Sequence, residues 1–251
     1  MDEHAEVIEA LREAGVLVAI RWAYESAVRR ALETYSPEDG HDTAWLGNTR
    51  YVLFRDRLDR ALRCGRYAMP DGDATDHPDG LFAELSEQDS STLPHVKNGT
   101  VVRHDLHGSP GWACGAGRFL IASADFGFVR TLPWAYKSRT KRIVAMQKPP
   151  VMDFEDVLFG LHEVLPAGPH GLAGSAPGSL GLAGSALDPR KLHDLPTFVV
   201  AHSLEPISGQ TELILGRPRM NAAGGPAWYW LEDLSAVDLP ATGRAPLARA
   251  G

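Results

Sequence analysis

Two stretches of the chain carry residue types that do chemistry. The first is "HDLHG", residues 104–108, which sets two histidines around an aspartate. If "TVVRHDL" is a strand, alternation puts Asp105 and His107 on one side and His104 on the other. A carboxylate beside an imidazole can orient it as a general base, and the pair can also hold a divalent metal. This predicts a hydrolase or nuclease edge built on Asp105 and His107, with His104 adjoining. A metal would need a third ligand. His41, His95, His162 and His202 are all available and no spacing selects one, so the metal stays unassigned. The segment 108–117 reads as a glycine-rich loop through which a substrate could approach the backbone. The same residues also fit an exposed strand end before a turn.

The second stretch is "FGFVRTLPWAYKSRTKRIVAMQKPPVM", residues 126–152. It holds Arg130, Lys137, Arg139, Lys141, Arg142 and Lys148 and no acidic residue, in a chain of net charge −7. Phe126, Phe128, Trp134 and Tyr136 interleave with these charges. Cations neutralise phosphates and aromatic faces stack on unpaired bases. Arg130, Trp134, Tyr136, Lys137, Arg139, Lys141 and Arg142 are therefore the candidate contacts for a nucleic acid or another polyanion. An acidic protein is the alternative partner. The competing structural reading is a hairpin whose aromatics are core and whose lysines blunt a sheet edge.

Other chemistries lack their signatures. "CGAG" resembles part of a nucleotide-binding loop, but a strand-like run follows it where a helix is required. There is no Gly-Lys-Ser or Gly-Lys-Thr phosphate loop, no Cys-x-x-Cys pair and no Gly-x-Ser-x-Gly elbow. No cofactor is expected. Cys64 and Cys114 form no disulfide framework, which favours a reduced, cytoplasmic setting. The N-terminus is acidic, and the early apolar run "GVLVAI" is far short of the roughly 20 residues that span a bilayer. No membrane partner is expected, and oligomeric state is not encoded in any pattern.

The elements that must position these residues divide by periodicity. Leu17, Ile20, Tyr24, Val28, Leu32 and Tyr35 recur at helical spacing, as do Tyr51, Phe54, Leu58 and Leu62. "HDTAWLG" reads as the link between these helices. Arg55–Asp59 and Asp56–Arg60 are expected i,i+4 pairs. Arg50, Arg55, Arg57, Arg60, Arg63 and Arg66 make this second helix arginine-rich, as a basic surface or as partners for the acidic loop that follows. "LFAELSEQ" suggests one short helix. "TVVRHDL", "RFLIASAD", "KRIVAMQ", "TFVVAHSL", "TELILGR" and "AWYWLED" read as strands, with "EPISGQ" as a hairpin turn. Phe198, Val200 and His202 should share one face.

This predicts an α+β fold, N-terminal helices packed on a mainly antiparallel β-sheet, in one compact domain. The helical part covers 1–68, a loop-rich connection 69–99 and the β part 100–239. A Gly/Ala-rich segment at 166–189, carrying "GLAGSA" twice, should be a flexible insertion, and 240–251 a loose tail.

Overall fold

The computed structural model describes residues 2–68, 80–149 and 195–237. The fold is α+β. Helices α1 (Glu3–Glu13), α2 (Val16–Glu33) and α3 (Thr43–Ala61) come first, followed by the short α4 (Glu87–Thr92). A six-stranded sheet then runs in chain order: β1 (Val102–Arg103), β2 (Gly111–Cys114), β3 (Gly117–Ser123), β4 (Thr197–Leu204), β5 (Thr211–Pro218) and β6 (Trp228–Asp233). Every neighbouring pair is antiparallel except β3 and β4, which run parallel in the register Arg118↔Thr197 to Ser123↔His202. The expected insertion at 166–189 and tail at 240–251 lie outside the described residues.

Both faces of the central strands are covered. Phe119, Ile121, Phe198, Val200, Leu213 and Leu215 pack against α1, α2 and α3. Leu120, Ala122, Val199, Ala201 and Ile214 pack on the opposite side with Val129, Trp134, Val144 and Trp228. All of β4 is buried as a result. Strands enclosed on both sides lose the polar half of their alternation, which is why "FVVA", residues 198–201, is an unbroken apolar run.

Four sequence expectations change. "KRIVAMQ" is not a strand: it forms α5 (Arg139–Ala145), which buries Thr140 and Val144 one turn apart. The β-branched Ile143 and Val144 favour strand locally, but packing decides between the two forms. The loop expected at 108–117 contains β2, whose Trp112 is fully buried and stacks on Phe119 with ring centroids 5.5 Å apart. Gly117 closes this β2–β3 turn at φ 145°, where an added Cβ would lie 2.7 Å from the Pro196 carbonyl oxygen. The link "HDTAWLG" supplies the first turns of α3, capped by the Asp42 carboxylate, which accepts from the Trp45 amide at 2.7 Å. The short helix expected at 81–88 instead begins at Glu87, with the Ser86 hydroxyl as its cap.

The arginine-rich helix is largely internal. Asp56 pairs with Arg57, Arg60 and Arg66, confirming Asp56–Arg60. Asp59 pairs instead with Arg103 at 2.7 Å and accepts from the Trp112 indole at 2.8 Å. Arg55 lies over the Tyr51 ring, so the expected Arg55–Asp59 pair does not form.

Candidate functional site

The two parallel strands end side by side at Ser123 and Leu204. There the chain must part: β3 runs into Ala124–Phe126 and β4 into the turn beginning at Glu205. The start of α3 faces this divergence. A cavity of about 630 Å³ opens between them, lined by Thr43, Gly47 and Arg50 of α3, by Ser123, Asp125 and Phe126 after β3, by Glu205 and Pro206 after β4, and by Lys137.

Arg50 is the unusual member. It occupies the buried register of α3 that also holds Leu46, Phe54 and Leu58, and only 6 % of it is exposed. Among the described residues no hydrogen bond or ion pair engages its guanidinium, and its buried Nε is without a partner. Burial pulls its pKa below the usual arginine value, against the attraction of Tyr24. Tyr24 itself donates its hydroxyl to the Ser203 carbonyl, and burial pushes its pKa well up. Glu212, the carboxylate felt by Tyr24, already accepts from the Ser203 hydroxyl at 2.6 Å and from the Gly127 amide at 2.8 Å. It is committed elsewhere.

His202 lies behind this cluster. It shares the helix-facing side of β4 with Phe198 and Val200, as the alternation requires. Tyr24 and Phe54 cover it at ring centroid distances of 5.1 and 5.2 Å. Neither ring nitrogen has a hydrogen-bond partner among the described residues. Burial, reinforced by the positive charges of Arg50, Lys141 and Lys137, holds its pKa far below the ordinary value, so the imidazole is neutral.

The basic segment is split by the fold. Trp134 is 0 % exposed, donates its indole to the Ala227 carbonyl at 2.6 Å and meets Trp228 edge-on. Its ring has no free face on which a base could stack. Arg130 pairs with Asp233 at 2.9 Å. Tyr136, Arg139 and Arg142 are exposed, Tyr136 to 89 %. Lys137 turns inward to the Ser123 carbonyl at 2.8 Å and lines the cavity. Desolvation lowers the pKa of Lys137 against the pull of Asp125; desolvation and then Lys137 lower that of Lys141.

The "HDLHG" residues are not gathered into one site. Asp105 is exposed and accepts from Arg103 at 2.9 Å and from the Gly111 amide at 3.2 Å. His107 is exposed at φ 46°, past the end of β1, so strand alternation no longer governs its direction. His104 accepts at Nδ1 from Arg118 at 3.0 Å. Among the described residues no hydrogen bond joins Asp105 to His107, and no group of three or more His, Cys, Asp or Glu is placed to hold a metal ion.

Comparison of the chain with protein-family models, with curated proteins and with solved structures finds no match. The site must be read from its own geometry. Arg50 and His202 are both named in the sequence, in the arginine-rich helix and on one strand face, but not as members of one site. Each is a polar residue on an otherwise apolar register: Leu46–Arg50–Phe54–Leu58 on α3, and Phe198–Val200–His202 on β4.

Proposed function

We propose that the protein binds an anionic ligand in the cavity where β3 and β4 end, in a binding or regulatory role. The observation that supports this reading is the Arg50 guanidinium, buried at the wall of a cavity that Asp125 and Glu205 also line, yet engaged by no hydrogen bond or ion pair among the described residues. Arginine stays protonated in proteins. A buried charge left unpaired costs several kcal/mol, and an arriving carboxylate or phosphate relieves that cost through charge-assisted hydrogen bonds. Lys137 extends the positive wall, and the cavity volume of about 630 Å³ falls within the range of small-molecule sites.

Thermal unfolding against inorganic phosphate at constant ionic strength tests this. Wild-type Tm should rise with phosphate, because a ligand bound only to the folded state stabilises it. Arg50→Met should abolish the rise. An equal rise in both proteins, or none in the wild type, overturns the reading.

A nucleic acid is the second, larger form of polyanion ligand. The exposed Tyr136 ring beside exposed Arg139 and Arg142 supports it. Single-stranded DNA should then bind with a steep salt dependence that flattens in Lys141→Ala/Arg142→Ala. Absence of binding at low salt ends this second reading. The hydrolase proposal built on Asp105 and His107 has no comparable support in the geometry.

A further inference from the structure

The cavity also carries information about the shape of its ligand, given the anion-binding reading above. Gly47 lies inside α3, where glycine costs roughly 0.5–1 kcal/mol relative to alanine. Its φ is not in the left-handed region, and a Cβ built on it meets nothing within 4 Å. Neither backbone geometry nor packing calls for glycine here. What glycine does is leave the cavity wall bare. Thr43, Gly47 and Arg50 are spaced four and three residues apart, so they share one face of α3, and all three line the cavity. Helical side chains lean toward the N-terminus, so Arg50 reaches over the turn that contains Gly47. A side chain at 47 would stand where a ligand must pass to meet the guanidinium.

We infer that the cavity accepts a terminal oxyanion, the phosphomonoester or carboxylate end of a small molecule, and that Gly47 is the specificity-determining gap that admits it to Arg50. Three features of the site converge on this class. The guanidinium is almost wholly covered, so the group that reaches it must present free oxygens at its tip. The first turn of α3 lies on the same face, where the Asp42 carboxylate caps the Trp45 amide and the amides of Thr43 and Ala44 precede the intrahelical ladder. Phe126, Leu204 and Pro206 supply apolar surface for a small apolar body on the remaining wall, which Asp125 and Glu205 share. An internal phosphodiester carries a substituent on both sides and cannot present such a tip.

Calorimetric titration with phenyl phosphate, diphenyl phosphate and benzoate tests the inference. Wild-type protein should bind phenyl phosphate and discriminate against diphenyl phosphate by at least about tenfold, the scale of one charge-assisted hydrogen bond. The benzoate titration separates a phosphate-selective site from one that takes either oxyanion, and both fit a terminal anion. Gly47→Leu should weaken phenyl phosphate binding by a similar factor without lowering Tm, and Gly47→Ala should fall between. If Gly47→Leu does not fold, Gly47→Ala carries the test through loss of affinity at unchanged or raised Tm. Diester binding equal to monoester, or undiminished binding in the folded Gly47 variants, overturns the inference while the Arg50-dependent reading stands. Binding that survives Arg50→Met overturns both.

Discussion

The two halves of α3 bury arginine in opposite ways. In the C-terminal half, Arg57 and Arg60 are as deeply covered as Arg50, but each is answered. Asp56 stands 2.8 Å from Arg57 and 2.7 Å from Arg60, Ser26 accepts from Arg57, and the carbonyls of Gly80 and Leu81 accept from Arg60. Burial alone would raise the Asp56 pKa; hydrogen bonds from Arg60 and Tyr67 more than offset it, and the carboxyl titrates below its usual range. In the N-terminal half, Arg50 is buried with no such answer among the described residues. One helix thus shows charge used as structure at one end and charge held ready for a ligand at the other. The difference is supplied by partners, since the residue type and its burial are the same.

The largest test of this contrast is Asp56→Ala. It leaves Arg57 and Arg60 buried and stripped of their carboxylate, and should cost about 3–5 kcal/mol in denaturant unfolding. A loss below 1 kcal/mol would mean that water or the backbone carbonyls suffice, and the contrast with Arg50 would lose its force.

Arg50→Met should move the other way. Removing an uncompensated buried charge while keeping a long apolar stem should stabilise the ligand-free protein by roughly 1–3 kcal/mol. Destabilisation of that size would reveal that the guanidinium is structurally paired after all.

His202 sharpens the comparison through pH. Its folded pKa lies well below the ordinary histidine value of about 6.5. Between those two values the unfolded chain binds a proton that the folded chain refuses. Stability is therefore full above about pH 6.5 and falls as pH drops, by up to about 1.4 kcal/mol per unit. His202→Phe should remove this component, because neither ring nitrogen gives up a hydrogen bond. Parallel pH profiles for wild type and variant between pH 7 and 5 would place the proton elsewhere.

Lys137→Met should have the smallest effect on folding, within about 0.5 kcal/mol, as expected of a partly exposed group away from the core. It should nevertheless weaken phosphate binding, which separates a ligand contact from a structural one. A larger stability loss would assign the Lys137 bond to Ser123 a role in holding the strand ends.

The α+β class, the registers of α2 and α3 and the strands β3 to β6 were legible in the sequence, because each is written in local periodicity and turn chemistry. So was the sharing of one strand face by Phe198, Val200 and His202. The helical state of "KRIVAMQ" was not, since its β-branched pair favours strand until the sheet offers Thr140 and Val144 a surface one turn apart. The burial of Trp134 was open in the sequence for the same reason: an indole fits a core or a ligand equally well until its neighbours are known. The convergence of Arg50, Lys137 and His202 belongs to the tertiary structure alone. These residues are far apart along the chain, and only the parallel pairing of β3 with β4, set against the start of α3, brings Arg50 and Lys137 to one cavity with His202 buried behind them. Whether a buried charge has a partner is a question about distances in space, and spacing along a single chain cannot answer it.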